Sequence, residues 1–276
     1  GMSKMTLEYE AMSDPGEAVV DMEGISTGRQ DHPLFSLRSV PLPVTHSDFT
    51  LTDRRLAVSR SGGTPLDMAQ GEASSRRVAE MVEDTLVGAV TGITYGGQTT
   101  GITAHDSATA STVYGYTNFP KRATKTNMTT PTGSNPDTTV ADVLAMRNTL
   151  YNTHKAFGPF MIYHSTDWDQ YLDNDYVKGT AAAGLTSPGT TLRERLRRID
   201  GVTDVRRLDR LTSTFVMLIV QMTSNVVEAI NGMDVKTLQW EEKGGMELRF
   251  KVMSIQVPRF KYDYKGNTGI MHGTTS

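Results

Sequence analysis

Cysteine is absent from the 276 residues. That removes disulfides and thiolate metal sites and leaves the redox compartment unread. Long apolar runs are absent too. The longest, Phe215 to Val220, falls far short of the roughly 20 residues that cross a bilayer as a helix. No continuous apolar stretch near the amino terminus marks a secretory signal. An excess of one charge is also missing: 28 basic residues face 31 acidic ones, for a net charge of −3. A dedicated nucleic-acid binder is usually clearly basic. Catalytic signatures are lacking as well. There is no Gly-x-Ser-x-Gly elbow, no phosphate loop ending in Gly-Lys-Ser/Thr and no His-Glu-x-x-His. The histidines (His32, His46, His105, His154, His164, His272) are scattered. The expectation is no catalytic residue, no cofactor and no metal.

What remains is a chain that is 37% hydrophobic and 21% charged, enough to bury a sizeable core in one or two domains. Met5, Leu7, Tyr9 and Ala11 alternate with polar residues, as in a half-covered strand. Asp14-Pro15-Gly16 marks a turn, Ala18, Val20 and Met22 resume the alternation, and Gly24 to Pro33 reads as a hairpin tip. Leu34 to Val44 returns extended, and Pro41 and Pro43 place its end at a sheet edge or outside the sheet. The strand phases do not fix the register of this arm. It has no neighbouring helix to pack on, so its apolar side calls for another copy of the chain.

Thr52 is a candidate N-cap for a short helix through Arg60, stopped by Ser61-Gly62-Gly63. A long helix follows over 67–87, with Met68, Val78, Met81, Val82 and Leu86 as its apolar stripe and Glu72, Arg76 and Glu80 at i,i+4 steps. A Gly/Thr/Ser-rich stretch carries short β-like pieces at 101–103 and 111–116. A helix is expected over 140–157, a strand over 159–164, a short helix over 167–172, an Ala/Gly loop over 179–188 and a basic helix over 192–199. Strands are expected over 202–211, 213–222 and 226–230. In the tail, Met246, Leu248, Phe250 and Val252 alternate, then Ile255 and Val257 continue out of phase, which predicts a bulge near Met253-Ser254. The fold class is α+β.

Asp167, Asp169, Asp173 and Asp175 form an acidic group; capping and solvated roles are favoured over a hard cation. Tyr95-Gly96-Gly97 reads as a tight turn rather than a phosphate loop. Arg193, Arg195, Arg197, Arg198, Arg206, Arg207 and Arg210 are interleaved with Glu194, Asp200, Asp204 and Asp209. Mixed signs favour ion pairs, within or between subunits, over a nucleic-acid patch.

Several blocks in order carry a family likeness: SVPLPVTHSDFTLTDRRLAVSRSGG, ASSRRVAEMVEDTLVGA, TGITYGG, VADVLAMRNTLYNTHKAFGPFMIYHSTDWDQYL, TLRERLRRIDGVTDVRRL and ELRFKVMSIQVPRFKY. Together they resemble the encapsulin-like branch of tailed-phage major capsid proteins. The resemblance implies the Hong Kong phage-type capsid fold. Residues 1–42 would be a short N-terminus and extended-loop hairpin, and 43–137 a first part of the peripheral domain with its spine helix. Residues 138–233 would be the axial domain and 234–276 the second peripheral part. It also implies a phage head, built from pentamers and hexamers in the bacterial host cytoplasm and enclosing double-stranded DNA held nonspecifically. Portal, scaffold or decoration proteins would be further partners, and a membrane would not.

In that family the extended loop lies over a neighbour. Tyr9, Met22, Leu34 and Phe35 would then bury apolar surface there, with Arg29, Asp31 and Arg38 setting register. Residues 5–42 contain no lysine, so the joint is expected to be non-covalent. No cargo-docking helix precedes the loop, which favours a virus head over an encapsulin compartment holding an enzyme. A soluble hydrolase with an unrecognised site is the remaining alternative.

Overall fold

The computed structural model describes residues 2–13, 20–23, 32–62, 66–90, 93, 113–132, 135–177, 186–211 and 213–275, with backbone alone for 66–68 and 186–189. In chain order its strands and helices begin with β1 (Thr6–Met12), β2 (Phe35–Pro41), β3 (Thr45–Thr52), α1 (Asp53–Ser61), α2 (Leu66–Val87) and β4 (Ala123–Lys125). They continue with α3 (Pro136–Asn152), β5 (Phe160–His164), α4 (Asp169–Leu172), β6 (Asp175–Val177), β7 (Thr186–Thr191) and α5 (Leu192–Arg197). The last are β8 (Val202–Arg207), β9 (Met217–Gln221), β10 (Val227–Glu242), β11 (Glu247–Phe260) and β12 (Ile270–Gly273). Helices and sheets both contribute, as the α+β reading expects. Two compact units result: 1–7, 40–118 and 228–259, and 8–39, 119–227 and 260–276.

The first unit is built on the spine helix α2, about 33 Å long at 1.5 Å per residue. It packs on β3, in a three-stranded sheet ordered β10-β11-β3. Ser74, Val78, Thr85 and Val87 are the buried residues of its outer half. Met81, expected on the apolar stripe, is 45% exposed. Small polar residues take the inner face instead: the Thr85 hydroxyl donates to the Met81 carbonyl at 2.9 Å, so its burial leaves nothing unpaired. Arg76 and Glu80 meet across one turn at 3.8 Å.

β3 and β11 pair antiparallel without interruption from Thr52↔Glu247 to Thr45↔Ser254. The predicted bulge at Met253-Ser254 is therefore absent on this side. The phase slip has another cause: Val252, Met253, Ser254 and Ile255 are all buried, so both faces of the strand are covered there. Phe49 stacks on Phe250 at 4.8 Å, and Asp48 meets Lys251 at 3.3 Å, both directly opposed pairs. Thr52 stands at the N-cap of α1, but its side chain makes no capping bond; its extended backbone ends β3. β10 runs far beyond the expected 226–230, because residues 234–241 are exposed and show no inside-outside alternation.

The second unit is a five-stranded sheet ordered β4-β12-β9-β5-β8. β9 lies centrally, antiparallel to β12 and β5, while β5 pairs parallel with β8 and β12 with β4. Met217 to Val220 are all fully buried, which is why this strand reads as a continuous apolar run. α3 opens on Asn135-Pro136, with proline where its missing N–H costs nothing. It ends at Asn152 rather than 157, since Lys155 and Gly158 take positive φ. Val143, Met146 and Leu150 of α3, Phe160 and Ile162 of β5, Trp168, Leu172 and Leu196 fill one core without solvent exposure.

Of the loop expected over 179–188, residues 186–188 belong to β7, which pairs with β6, and residues 179–185 lie outside the described residues. Residues 119–137 and 260–276 were expected with the spine helix. They belong to the second unit because β4 and β12 complete its sheet. The β-like pieces at 101–103 and 111–112, Tyr95-Gly96-Gly97 and the turn at Asp14-Pro15-Gly16 lie outside the described residues.

Candidate subunit interface

β1 and β2 form the hairpin arm. Leu42 N–H donates to Met5 O at 2.8 Å, and Ser13 N–H donates to Leu34 O at 2.9 Å. The two pairings lie equally far apart on both strands, so no net residue is inserted between them. This fixes the register that alternation alone left open. Tyr9 stands opposite Arg38, and Met12 opposite Phe35. The root of the arm is well held: Leu7, Val40 and Leu42 join Ile93, Val113, Ile255 and Val257 in one apolar cluster.

The far end is bare. Met12 is 60% exposed, Phe35 63% and Leu37 48%. By the register these three share one face of the hairpin with Glu8 and Glu10, which are also exposed. Covering three such side chains would contribute several kcal/mol, at about 25 cal/mol per Å².

Of the residues expected to touch a neighbour, Phe35 and Leu34 are exposed, and Met22 lies fully exposed in a bend. The expected strand across Val20 to Met22 is not formed, since Glu23 N–H turns back onto the Asp21 carboxylate at 3.1 Å. Tyr9 and Arg38 are half-buried on the opposite face of the hairpin. The Arg38 guanidinium sits 3.8 Å over the Tyr262 ring, so its own chain already engages it. Arg29 and Asp31 lie outside the described residues.

One surface escaped the sequence reading. α1 turns Arg54, Arg55, Val58 and Ser59 into an open cleft together with Thr52. Steps of three and four residues put these side chains on one helix face. Val58 is 64% exposed. Neither Arg54 nor Arg55 has a hydrogen bond or ion pair with another described residue. The sequence signal was an arginine pair next to an apolar residue on a helix with only Leu56 buried.

The arginine group behaves otherwise. Asp169 binds Arg193 at 2.9 Å and Arg207 at 3.1 Å. Arg193 also binds Asp173 at 3.0 Å, and Arg207 binds Asp209 at 2.5 Å. Asp204 holds Arg197 at 2.8 Å and Arg206 at 2.9 Å. Arg195 faces Tyr176, and Arg198 is exposed. These pairs close within one chain. The acidic group is thereby dispersed, with the Asp167 carboxylate accepting Phe215 N–H at 3.4 Å. Among the described residues no three His, Asp or Glu side chains converge as a metal site would need.

His164 lies at the heart of this network with no exposure, because Phe160, Ile162 and His164 alternate onto one face of β5. Its Nδ1–H donates to Ser165 O at 3.0 Å. That leaves Nε2 to accept from Arg193 at 3.4 Å. Burial pushes its pKa below the ordinary value, and Arg193 adds to the effect. Burial pushes Asp169 up, but hydrogen bonds from Arg207 and Arg193 outweigh it and hold it below the usual carboxylate range. These contacts form one intrachain network.

The model of a family described as "Family of unknown function (DUF6260)" matches residues 1–273. No curated protein matches the chain in sequence. Solved structures do match in fold. The capsid of Myoviridae phage XM1 superposes with a TM-score of 0.66 at 11% identity, covering 99% of this chain and 86% of that one. The capsid of a native GTA particle gives 0.65 at 10% identity, covering 99% and 86%. A virus-like particle from Pyrococcus furiosus gives 0.59 at 15% identity, covering 98% and 86%. The chain thus has the Hong Kong phage-type capsid fold over nearly its whole length.

Proposed function

This chain belongs to the DUF6260 family, and we propose that it is the major capsid protein of a tailed bacteriophage or prophage. It self-assembles into a closed icosahedral head around double-stranded DNA. The observation that carries this reading is the arm: rooted in one apolar cluster and bare at its far end, on a fold shared with shell proteins. A second copy supplies the missing cover. The first unit serves as the peripheral domain with its spine, and residues 138–227 of the second unit supply the axial domain that meets its copies around five- and sixfold axes. With no lysine in 5–42, the shell is held by burial and ion pairs rather than by isopeptide bonds. The role is structural rather than enzymatic, and its place is the virion. DNA contact is nonspecific and weak per subunit, as suits a net charge of −3. A phage head is favoured over an enzyme compartment because phage capsids recur among the similar folds.

The test is electron microscopy with sedimentation of the purified full chain. Uniform polyhedral particles are expected. A chain that stays monomeric at micromolar concentration, with the arm amides protected from hydrogen exchange, would overturn the proposal.

A further inference from the structure

We infer that the cleft on α1 is the seat for the acidic face of another copy's arm. Glu8 and Glu10 of one subunit pair with Arg54 and Arg55 of the next, and Phe35 lies against Val58. This deepens the capsid reading and rests on it.

Three observations meet here. The first is an unsatisfied pair of cations. Arg54 and Arg55 are exposed, line one cleft and have no hydrogen bond or ion pair with a described residue. Asp53 precedes them but does not line the cleft. The second is an unsatisfied pair of anions. Glu8 and Glu10 are exposed on β1, two residues apart and so about 7 Å apart on the same side of the strand, and neither has a partner among the described residues. The third is that each charge pair borders bare apolar surface: Val58 one turn along α1, and the Met12, Phe35 and Leu37 end of the arm. The two patches match in charge sign and in having apolar surface beside it. The many other arginines on this chain are mostly taken; Arg193, Arg197, Arg206 and Arg207 each hold a carboxylate. A second copy is therefore the occupant that the chain's own chemistry specifies.

The contact is heterologous, because the arm of one subunit meets a different surface on the next. Such contacts propagate head to tail and close into rings when the rotation permits. Apolar burial supplies strength, while the charge pairs set register and reject misplaced copies.

Charge reversal tests the pairing. The variants are E8K/E10K, R54E/R55E and the four substitutions combined, with the assembled fraction read by sedimentation. Each double variant is expected to lower that fraction about tenfold or more, and the combined variant to recover most of it. Doubles that assemble like the unmodified chain, or a combined variant as poor as the doubles, overturn the inference. So does an R54E/R55E variant that assembles fully and loses only packaged nucleic acid, which would make the cleft a phosphate contact.

The absence of cysteine gives a second route that tolerates a folding defect in the reversals. E10C/R55C should give oxidised ladders beyond dimer on a non-reducing gel, with E10C or R55C alone giving none. Monomer only from the double variant overturns the inference. If the unmodified chain forms no particles, the capsid reading itself has failed. If it forms particles and neither the rescue nor the ladder appears, only this contact has.

Discussion

The sheet core of the second unit and the hairpin arm, whose residues 8–13 and 32–39 belong to that same unit, handle apolar residues in opposite ways. In the second unit Met146, Leu150, Phe160, Ile162, Trp168 and Leu172 have no exposure. Asp169 beside that core holds two arginines. In the arm Met12, Phe35 and Leu37 face outward, and Glu8 and Glu10 stand alone among the described residues. The outer strand β10 resembles the arm, with Val235, Leu238 and Trp240 exposed. One region is completed by the folding of a single chain. The other is left bare, and on the capsid reading its apolar surface is covered only on association. Stability of the subunit and stability of the assembly should therefore respond to different residues.

The largest effect that separates them is a core truncation. Phe160→Ala should cost the subunit about 3–5 kcal/mol, read by denaturant unfolding. Phe35→Ala should change that unfolding by less than about 0.5 kcal/mol while reducing particle yield. Equal losses in subunit unfolding would erase the contrast.

A middle-sized effect is acid sensitivity from histidines of the second unit. Burial holds His154, His164 and His272 below their ordinary value of 6.5, His272 down to about 4. Asp263 partly opposes the shift at His154. For His272 the folded pKa is depressed, so the unfolded chain binds the extra proton. Its contribution is fully present above pH 6.5 and is lost as pH falls toward about 4. Each such group adds at most about 1.4 kcal/mol per pH unit to the slope. His272→Gln should flatten subunit stability across that window; an unchanged slope would show that this imidazole is not responsible.

The smallest effect is at the hairpin's half-covered face. Arg38→Ala should remove about 0.5–1 kcal/mol with the Tyr262 contact. The expected readout is faster hydrogen exchange at β2 amides with overall unfolding nearly unchanged. Unaltered exchange would mean that the arm is held by its root alone.

Much of this contrast was legible in the residues. The spine helix, the apolar run of β9 and the arm's lack of cover follow from periodicity, because each is a local pattern with one dominant environment. β10 was legible only at its start, since a strand exposed on both faces carries no alternation. β12 and β4 were missed because Ile270–Gly273 and Ala123–Lys125 are too short to show a period. The stacking of Arg38 on Tyr262 was not legible because a sequence cannot say which face of a hairpin its own chain occupies. The α1 cleft was invisible for the converse reason: what matters there is that Arg54 and Arg55 have no partner among the described residues.

The join at the end of α2 bears on how this fold can vary. Tyr116 N–H donates to Leu86 O and Thr117 N–H to Val87 O. The Thr117 hydroxyl adds a 2.7 Å bond to Val87 O, and the Asn118 amide reaches Gly88 O at 3.2 Å. A methyl group on Gly115 would fall 2.2 Å from Gly88 N, where φ is +103°. Backbone touches backbone there, without a side chain between. A side chain at this weld would have to displace main chain, so Gly115 is fixed by backbone contact rather than by anything a neighbouring side chain could yield.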